Sequence, residues 1–191
     1  MTVRPSSPPG NARDDVVATV AGHPISAGRV DGRLAELRRG PRARHIPPDG
    51  VGGSETVRRW VVQELVTESV IAHEARAAGI ADVPEGDRLS PEEIASLVVR
   101  VTADAAVPEA EVRAYFERNQ DLYQRPATGG DPASVTPFAE ARAAIEDDLL
   151  VAARARAFDE WLDRRRRDLV VIAPGFEHPG HPIHGVPSHR H

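Results

Sequence analysis

The stretch Val16-Val-Ala-Thr-Val-Ala-Gly-His-Pro-Ile-Ser26 decides how the chain begins to fold. Its first five residues are mostly β-branched, which favours a strand, and residues 21–24 are typical of a turn. Ser26 is then placed to cap a helix with its hydroxyl. A second β-branched run lies at residues 169–172. Because a lone strand gains little stability, we expect this run to pair with residues 16–20.

Helical periodicity accounts for most of the chain between those two strands. Apolar residues recur every three to four positions, as they do on one face of a helix. Ser54 is a candidate N-cap, and Ser90-Pro-Glu-Glu93 has the pattern of a capping box with proline at the first helical position. The predicted helices run from Ser26 to just before Gly40 and over residues 55–78, 91–103, 108–119 and 136–168. The predicted fold is therefore mostly α, with a short two-stranded β pairing of the N- and C-terminal segments.

Proline and glycine mark the ends of this helical body. Residues 1–14 and 173–191 are rich in both and predict a disordered N-terminal tail and a flexible, histidine-rich C-terminal tail. The body between them, residues 15–172, is predicted to form one helical domain. Two further Gly/Pro-rich segments, residues 40–54 and 125–135, predict loops that let helices move.

Composition excludes several classes of function. The 191 residues contain no cysteine, which excludes thiolate metal sites and cysteine nucleophiles, and no lysine, which excludes Schiff-base chemistry. The net charge of -5 disfavours a nucleic-acid-binding role. No apolar run is long enough to span a membrane, and residues 1–15 lack the apolar core of a secretory signal. We therefore expect a cytoplasmic protein.

Three segments resemble the SurA/PrsA-type foldases. Residues 17–26 are similar to their opening strand and Gly-x-x-Ile-Ser turn into a helix. Residues 107–123 are similar to one of their helices, whose pattern is Val-x-x-x-Glu-Val/Ile-x-x-Tyr-Phe/Tyr-x-x-Asn-x-x-x-Phe/Tyr. Residues 136–162 resemble their closing helix. The resemblance implies a SurA N-terminal-like helical chaperone core.

One departure from that family bears on catalysis. In the family, a parvulin prolyl-isomerase domain of roughly ninety residues follows the Tyr-x-x-Pro region, and an isomerase pocket needs a shaped site with positioned polar groups. Here only about nine residues separate Arg125-Pro126 from Thr136. We expect the parvulin domain to be missing at about residues 126–135, so that the chaperone module stands alone and is not an enzyme. A prolyl isomerase with a cryptic site is the alternative.

The resemblance therefore predicts ATP-independent binding of unfolded or partly assembled protein clients in an apolar groove. The groove is expected on helices 55–78, 91–103 and 108–119, and a homodimer is left open. For the aromatic residues, core packing is the competing interpretation. The candidate client-binding residues are Trp60, Leu65, Leu97, Tyr115, Phe116, Tyr123 and Trp161.

Histidines concentrate in the C-terminal tail and suggest a second function. Imidazole binds Ni, Zn and Cu, and the spacing His-x-x-His-x-x-His lets a flexible chain wrap one ion, with Glu177 as a further ligand. This pattern makes a metal-handling accessory protein the alternative function, and a polar tail that binds metal only weakly is the competing interpretation. No other cofactor is expected. The candidate ligands are His178, His181, His184, His189 and His191.

Other motifs give weaker signals. The run Arg164–Arg167 could hold phosphate, but four consecutive helical residues point in all directions, so a solvated helix end is the preferred interpretation. His73-Glu74 is not followed by the second histidine of a zinc-protease motif. Nucleotide-binding glycine loops and hydrolase elbows are absent from the sequence, which favours a non-catalytic protein.

Overall fold

The structure is a computed structural model that describes residues 16–41, 43–46, 53–84, 86–125 and 134–177. It is mostly helical, as the sequence predicts. The helices are α1 (Ala27–Arg39), α2 (Ser54–Ala77), α3 (Pro91–Val101), α4 (Glu109–Arg118) and α5 (Phe138–Leu169). The strands are β1 (Val16–Val20), β2 (His23–Ser26), β3 (Gln124–Arg125), β4 (Ser134–Val135) and β5 (Val170–Ile172).

The predicted pairing of the two terminal segments is present in an antiparallel sheet. β1 lies between β2 and β5, with Ala18 opposite Ile172 and Val20 opposite Val170. The sheet has three strands instead of two, because Ala21 and Gly22 both take positive φ angles and form a tight hairpin. The prediction of a turn over residues 21–24 is therefore wrong for its second half, which is β2.

The described residues form two compact units. The first contains residues up to 94 and residues from 164 onward, and the second contains residues 95–163. The sequence pattern, by contrast, predicts a single helical body over residues 15–172. Each unit is described separately below.

The first unit is built on the sheet, α1 and α2. Val17, Ala18 and Val20 of β1 are buried, and the apolar stripes of both helices are shielded from solvent, as the helical periodicity of the sequence predicts. Its fully buried side chains include Val17, Ile25, Val30, Val61, Val62, Leu65, Val66 and Val70.

The second unit has a smaller core, in which α4 packs against the first turns of α5. Val112, Phe116, Ala141 and Ile145 are buried there. Tyr115 and Tyr123 pack against this cluster from outside, which confirms the core interpretation of these aromatic residues. Leu97 is also buried in this unit, with 2% of its surface exposed.

Two of the three predicted serine N-caps are confirmed. Ser26 accepts a hydrogen bond from the amide of Arg29 at 3.2 Å, and Ser90 and Glu93 form the reciprocal bonds of a capping box at 2.7 and 3.2 Å. The prediction for Ser54 is wrong. Gly53 occupies the cap position with φ of +92°, and Ser54 is already helical.

The prediction of a flexible C-terminal tail is wrong for residues 173–177. Residues 173–177 are held by hydrogen bonds, since the amide of Ala173 donates to the carbonyl of Val17 at 3.0 Å and the side chain of Gln63 donates to the carbonyl of Phe176 at 3.1 Å. The predicted N-terminal tail and residues 178–191 of the predicted C-terminal tail lie outside the described residues. So do residues 126–133, which make up most of the segment 126–135 where the parvulin domain is expected to be missing.

Candidate functional site

A buried arginine stands at the centre of the first unit. Arg33 follows Val30 on the inner face of α1 and keeps only 9% of its surface exposed. Its guanidinium donates to Glu64 at 3.2 Å and to Glu68 at 2.5 Å, one turn apart on α2. Charge-assisted bonds of this kind offset the cost of burying a cation.

The surroundings of Arg33 act on its pKa in opposite directions. Burial lowers the pKa, but the charge of Glu68 and the hydrogen bond and charge of Glu64 outweigh burial. The pKa therefore lies above its ordinary value, and the side chain remains a cation.

Arg88, in the segment between α2 and α3, is a second cation close to Glu36 and Glu68. Its guanidinium lies 3.7 Å from Glu36 and 3.7 Å from Glu68, and the side chain keeps 59% of its surface exposed. Nearby, Arg29 donates to the carbonyl of Gly86 at 3.1 Å. Gly86 has a φ of +91°, a conformation that favours glycine.

Three neighbouring cavities surround this arginine cluster, which we define as Arg33, Glu36, Glu64, Glu68 and Arg88. Their volumes are about 430, 400 and 120 Å³, and Arg88 lines all three. Together they form the surface that we call the groove, between α1, α2 and residues 86–94. Its apolar lining consists of Leu37, Pro41, Leu65, Ile71, Leu89 and Ile94.

Of the predicted client-binding residues, only Leu65 lines this groove. Leu97 and Phe116 are buried in the second unit, and Tyr115 and Tyr123 lie against its core. Trp161 is half-buried beside Phe158, with the ring centroids 5.4 Å apart. The seven residues are therefore divided between the two units, with Trp60 and Leu65 in the first and the other five in the second.

Trp60 is not a core residue, although core packing is the competing interpretation for it. It lies on α2 among apolar neighbours, yet it keeps 50% of its surface exposed, so that interpretation is wrong. The buried face of α2 contains Val61, Val62, Leu65 and Val66, and Trp60 falls outside it.

Sequence reasoning missed the arginine cluster because its members are far apart in the chain. One signal was available. Arg33 interrupts the stripe formed by Val30, Leu34 and Leu37, and a charged residue within an apolar stripe needs a buried partner. The sequence did not reveal that Glu64 and Glu68 are those partners.

Within the first unit, the arginine run at the end of α5 contacts α2. Arg166 donates to Gln63 at 2.5 Å and to Thr67 at 2.5 Å, and Arg165 pairs with Glu74 at 3.0 Å. The interpretation of the run as a solvated helix end is therefore wrong for these two residues.

The five candidate histidine ligands lie outside the described residues, so metal binding stays a prediction. Across the part of the chain that the structure does describe, no group of three or more histidine, aspartate or glutamate side chains is arranged to hold a metal ion. Among those same residues, no helix combines the length and apolar character needed to cross a membrane.

Comparison with known protein families gives a match for one stretch of the chain. Residues 16–50 match a family of unknown function (DUF7158). The match covers β1, β2 and α1 and so includes the α1 wall of the groove, with Arg33 and Glu36. The chain matches no curated protein and no solved structure. The similarity to SurA/PrsA-type foldases stays a prediction.

Proposed function

We propose that the protein binds apolar segments of unfolded or partly assembled proteins in the groove, without ATP and without catalysing a reaction. The observation that carries this proposal is that three cavities with Arg88 in their common lining lie on the first unit, and that Leu37, Ile71 and Ile94 are part of their apolar lining. Helix-lined grooves of this kind accept extended or helical peptides.

Pairing among the charged residues supports the proposal. If the charges that line a groove were unpaired, the entry of an apolar segment would remove their water, which costs free energy. Here Arg33 is already bonded to Glu64 and Glu68, and Arg88 lies close to Glu36. An apolar side chain can therefore displace water from the exposed part of Ile94 at a smaller cost.

Size indicates what the groove can hold. Cavities of about 430 and 400 Å³ lie within the range typical of ligand sites and suit a few side chains of a client segment. An interface of this size gives weak binding, because ordering a flexible client offsets most of the gain. Weak binding allows release without ATP.

Aggregation assays on matched variants of α3 test this proposal. Ile94 lines the groove and keeps 38% of its surface exposed, whereas Val99 is 61% exposed and lies in the second unit. Ile94→Glu is expected to weaken client binding by about tenfold, because it removes apolar contact and places a charge against the client. Light scattering of a chemically denatured model protein is the measurement.

The control variant is Val99→Glu, which introduces the same charge outside the groove and is expected to suppress aggregation as the parent chain does. Two results contradict the proposal. One is a lack of suppression by the parent chain at molar excess together with no binding of a hydrophobic dye. The other is an equal loss in both variants.

The histidines of the tail support metal handling as a second candidate function. We expect Ni²⁺ and Zn²⁺ to give binding heat with the full chain and none with a chain that ends at Glu177, because only the former contains the His-x-x-His-x-x-His pattern. Isothermal titration of both chains measures this difference. Equal heats, whether large or negligible, would remove the tail as the metal site.

A further inference from the structure

The smallest of the three cavities has the most apolar lining. Its volume is about 120 Å³, and its apolar walls are Ile71 of α2, Leu89 of the segment between α2 and α3, and Ile94 of α3. We call it the anchor cavity. Ile71 and Leu89 are half-buried and Ile94 keeps 38% of its surface exposed. Each wall therefore retains apolar surface that a ligand can cover.

Three charged side chains also line the anchor cavity, but they do not call for a charged ligand. Glu68 is already bonded to Arg33 at 2.5 Å, and the guanidinium of Arg88 lies 3.7 Å from Glu68. Asp87 is exposed, so water solvates its carboxylate. A neutral side chain can therefore enter between the apolar walls without leaving a buried charge that lacks a partner.

The volume of the anchor cavity limits the side chain that it can take. An apolar cavity of about 150 Å³ in a protein core holds one benzene molecule. At about 120 Å³, the anchor cavity is too small to bury a phenyl ring. A leucine side chain is smaller than that of phenylalanine by three carbon atoms, and it fits this volume.

We propose that the anchor cavity is the specificity-determining subsite of the groove and accepts one leucine-sized aliphatic side chain of a client segment. This inference rests on the proposed function and names the class of segment that the groove prefers. Such a segment presents leucine, isoleucine or methionine to the cavity, rather than phenylalanine or tryptophan. Burial of the aliphatic carbon atoms against Ile71, Leu89 and Ile94 provides the affinity.

Fluorescence anisotropy with three labelled peptides tests the preference. The peptides share one sequence and carry leucine, alanine or phenylalanine at the central position. We expect the leucine peptide to bind the full chain about tenfold more tightly than the alanine peptide, because further carbon atoms are buried. It should also bind about threefold more tightly than the phenylalanine peptide, although a flat apolar surface would favour the larger aromatic ring.

Truncating a wall of the cavity assigns the preference to this site. Ile71→Ala removes three carbon atoms, which is the difference in size between phenylalanine and leucine. We expect the order to reverse in this variant, so that the phenylalanine peptide binds about threefold more tightly than the leucine peptide. Leu89→Ala widens the cavity from another segment and should reverse the order too, so the test does not depend on the folding of one variant.

The control variant is Leu122→Ala. It removes the same number of carbon atoms from a side chain of the second unit that is 65% exposed, and it should keep the order of the parent chain. An order that stays the same in both Ile71→Ala and Leu89→Ala overturns the assignment to the anchor cavity.

The remaining outcomes separate this inference from the proposed function. Equal binding of the leucine and phenylalanine peptides to the parent chain, or tighter binding of the phenylalanine peptide, overturns the size preference but leaves the groove as an apolar binding site. If none of the three peptides binds the full chain, both the preference and the proposed function are overturned.

Discussion

Replacing Arg33 with alanine is expected to lower the free energy of unfolding by about 2–3 kcal/mol. The change leaves Glu64 and Glu68 next to each other without the guanidinium that joins them, and both side chains are only about 30% exposed. Removing one partner of a fully buried ion pair costs more than this, but partial exposure of the two carboxylates lets water offset part of the loss. Urea unfolding followed by circular dichroism measures the change.

Arg58→Ala is the matched control, since it breaks the ion pair between Arg58 and Asp31 in the same unit. Asp31 is 60% exposed, so we expect a loss below about 1 kcal/mol. The triple variant Arg33→Met, Glu64→Gln, Glu68→Gln should recover much of the stability, because it removes the uncompensated charges and keeps an apolar stem at position 33. If Arg33→Ala costs no more than Arg58→Ala, the cluster does not stabilise the unit.

Phe116→Ala is expected to destabilise the second unit by about 3–4 kcal/mol. The ring of Phe116 is 8% exposed and lies 5.2 Å from that of Tyr123 and 5.4 Å from that of Phe138, measured between centroids. Its removal opens a cavity in a core that contains few other buried side chains. Few apolar side chains remain nearby that could move into that cavity.

Hydrogen exchange localises this effect. Amide protection in α4 and the first turns of α5 should fall sharply in Phe116→Ala and only slightly in Leu122→Ala, because Leu122 is 65% exposed. Retention of full protection in Phe116→Ala would show that the aromatic contacts do not hold this unit together.

The helices and the strands β1 and β5 could be predicted because their signals are local, and the pairing of the two strands follows from the low stability of a lone strand. The capping box at Ser90 and Glu93 depends on residues three positions apart, and the β-branched run at residues 169–172 is recognisable without its partner. The core residues of α4 follow from helical spacing in the same way.

Features that depend on distant residues or on fine geometry were missed. β2 contains Pro24, which favours a turn in sequence reasoning but is tolerated at the edge of a sheet, where β2 lies. Trp60 is apolar and fits the helical pattern of α2, but the pattern does not tell how wide the buried face of the helix is. Trp60 lies outside that face and is half exposed. The arginine cluster needs contacts between residues 31 and 35 positions apart, for which a single sequence has no signal.

The pairing of β1 with β5 imposes an order on folding during synthesis. Residues 16–20 leave the ribosome long before their partners at residues 170–172, so the first unit cannot complete its sheet until nearly all of the chain described here has been translated. The second unit is continuous from residue 95 to residue 163 and has all of its own residues earlier. On the nascent chain, the second unit is therefore free to fold before the strand that closes the sheet of the first unit has been made.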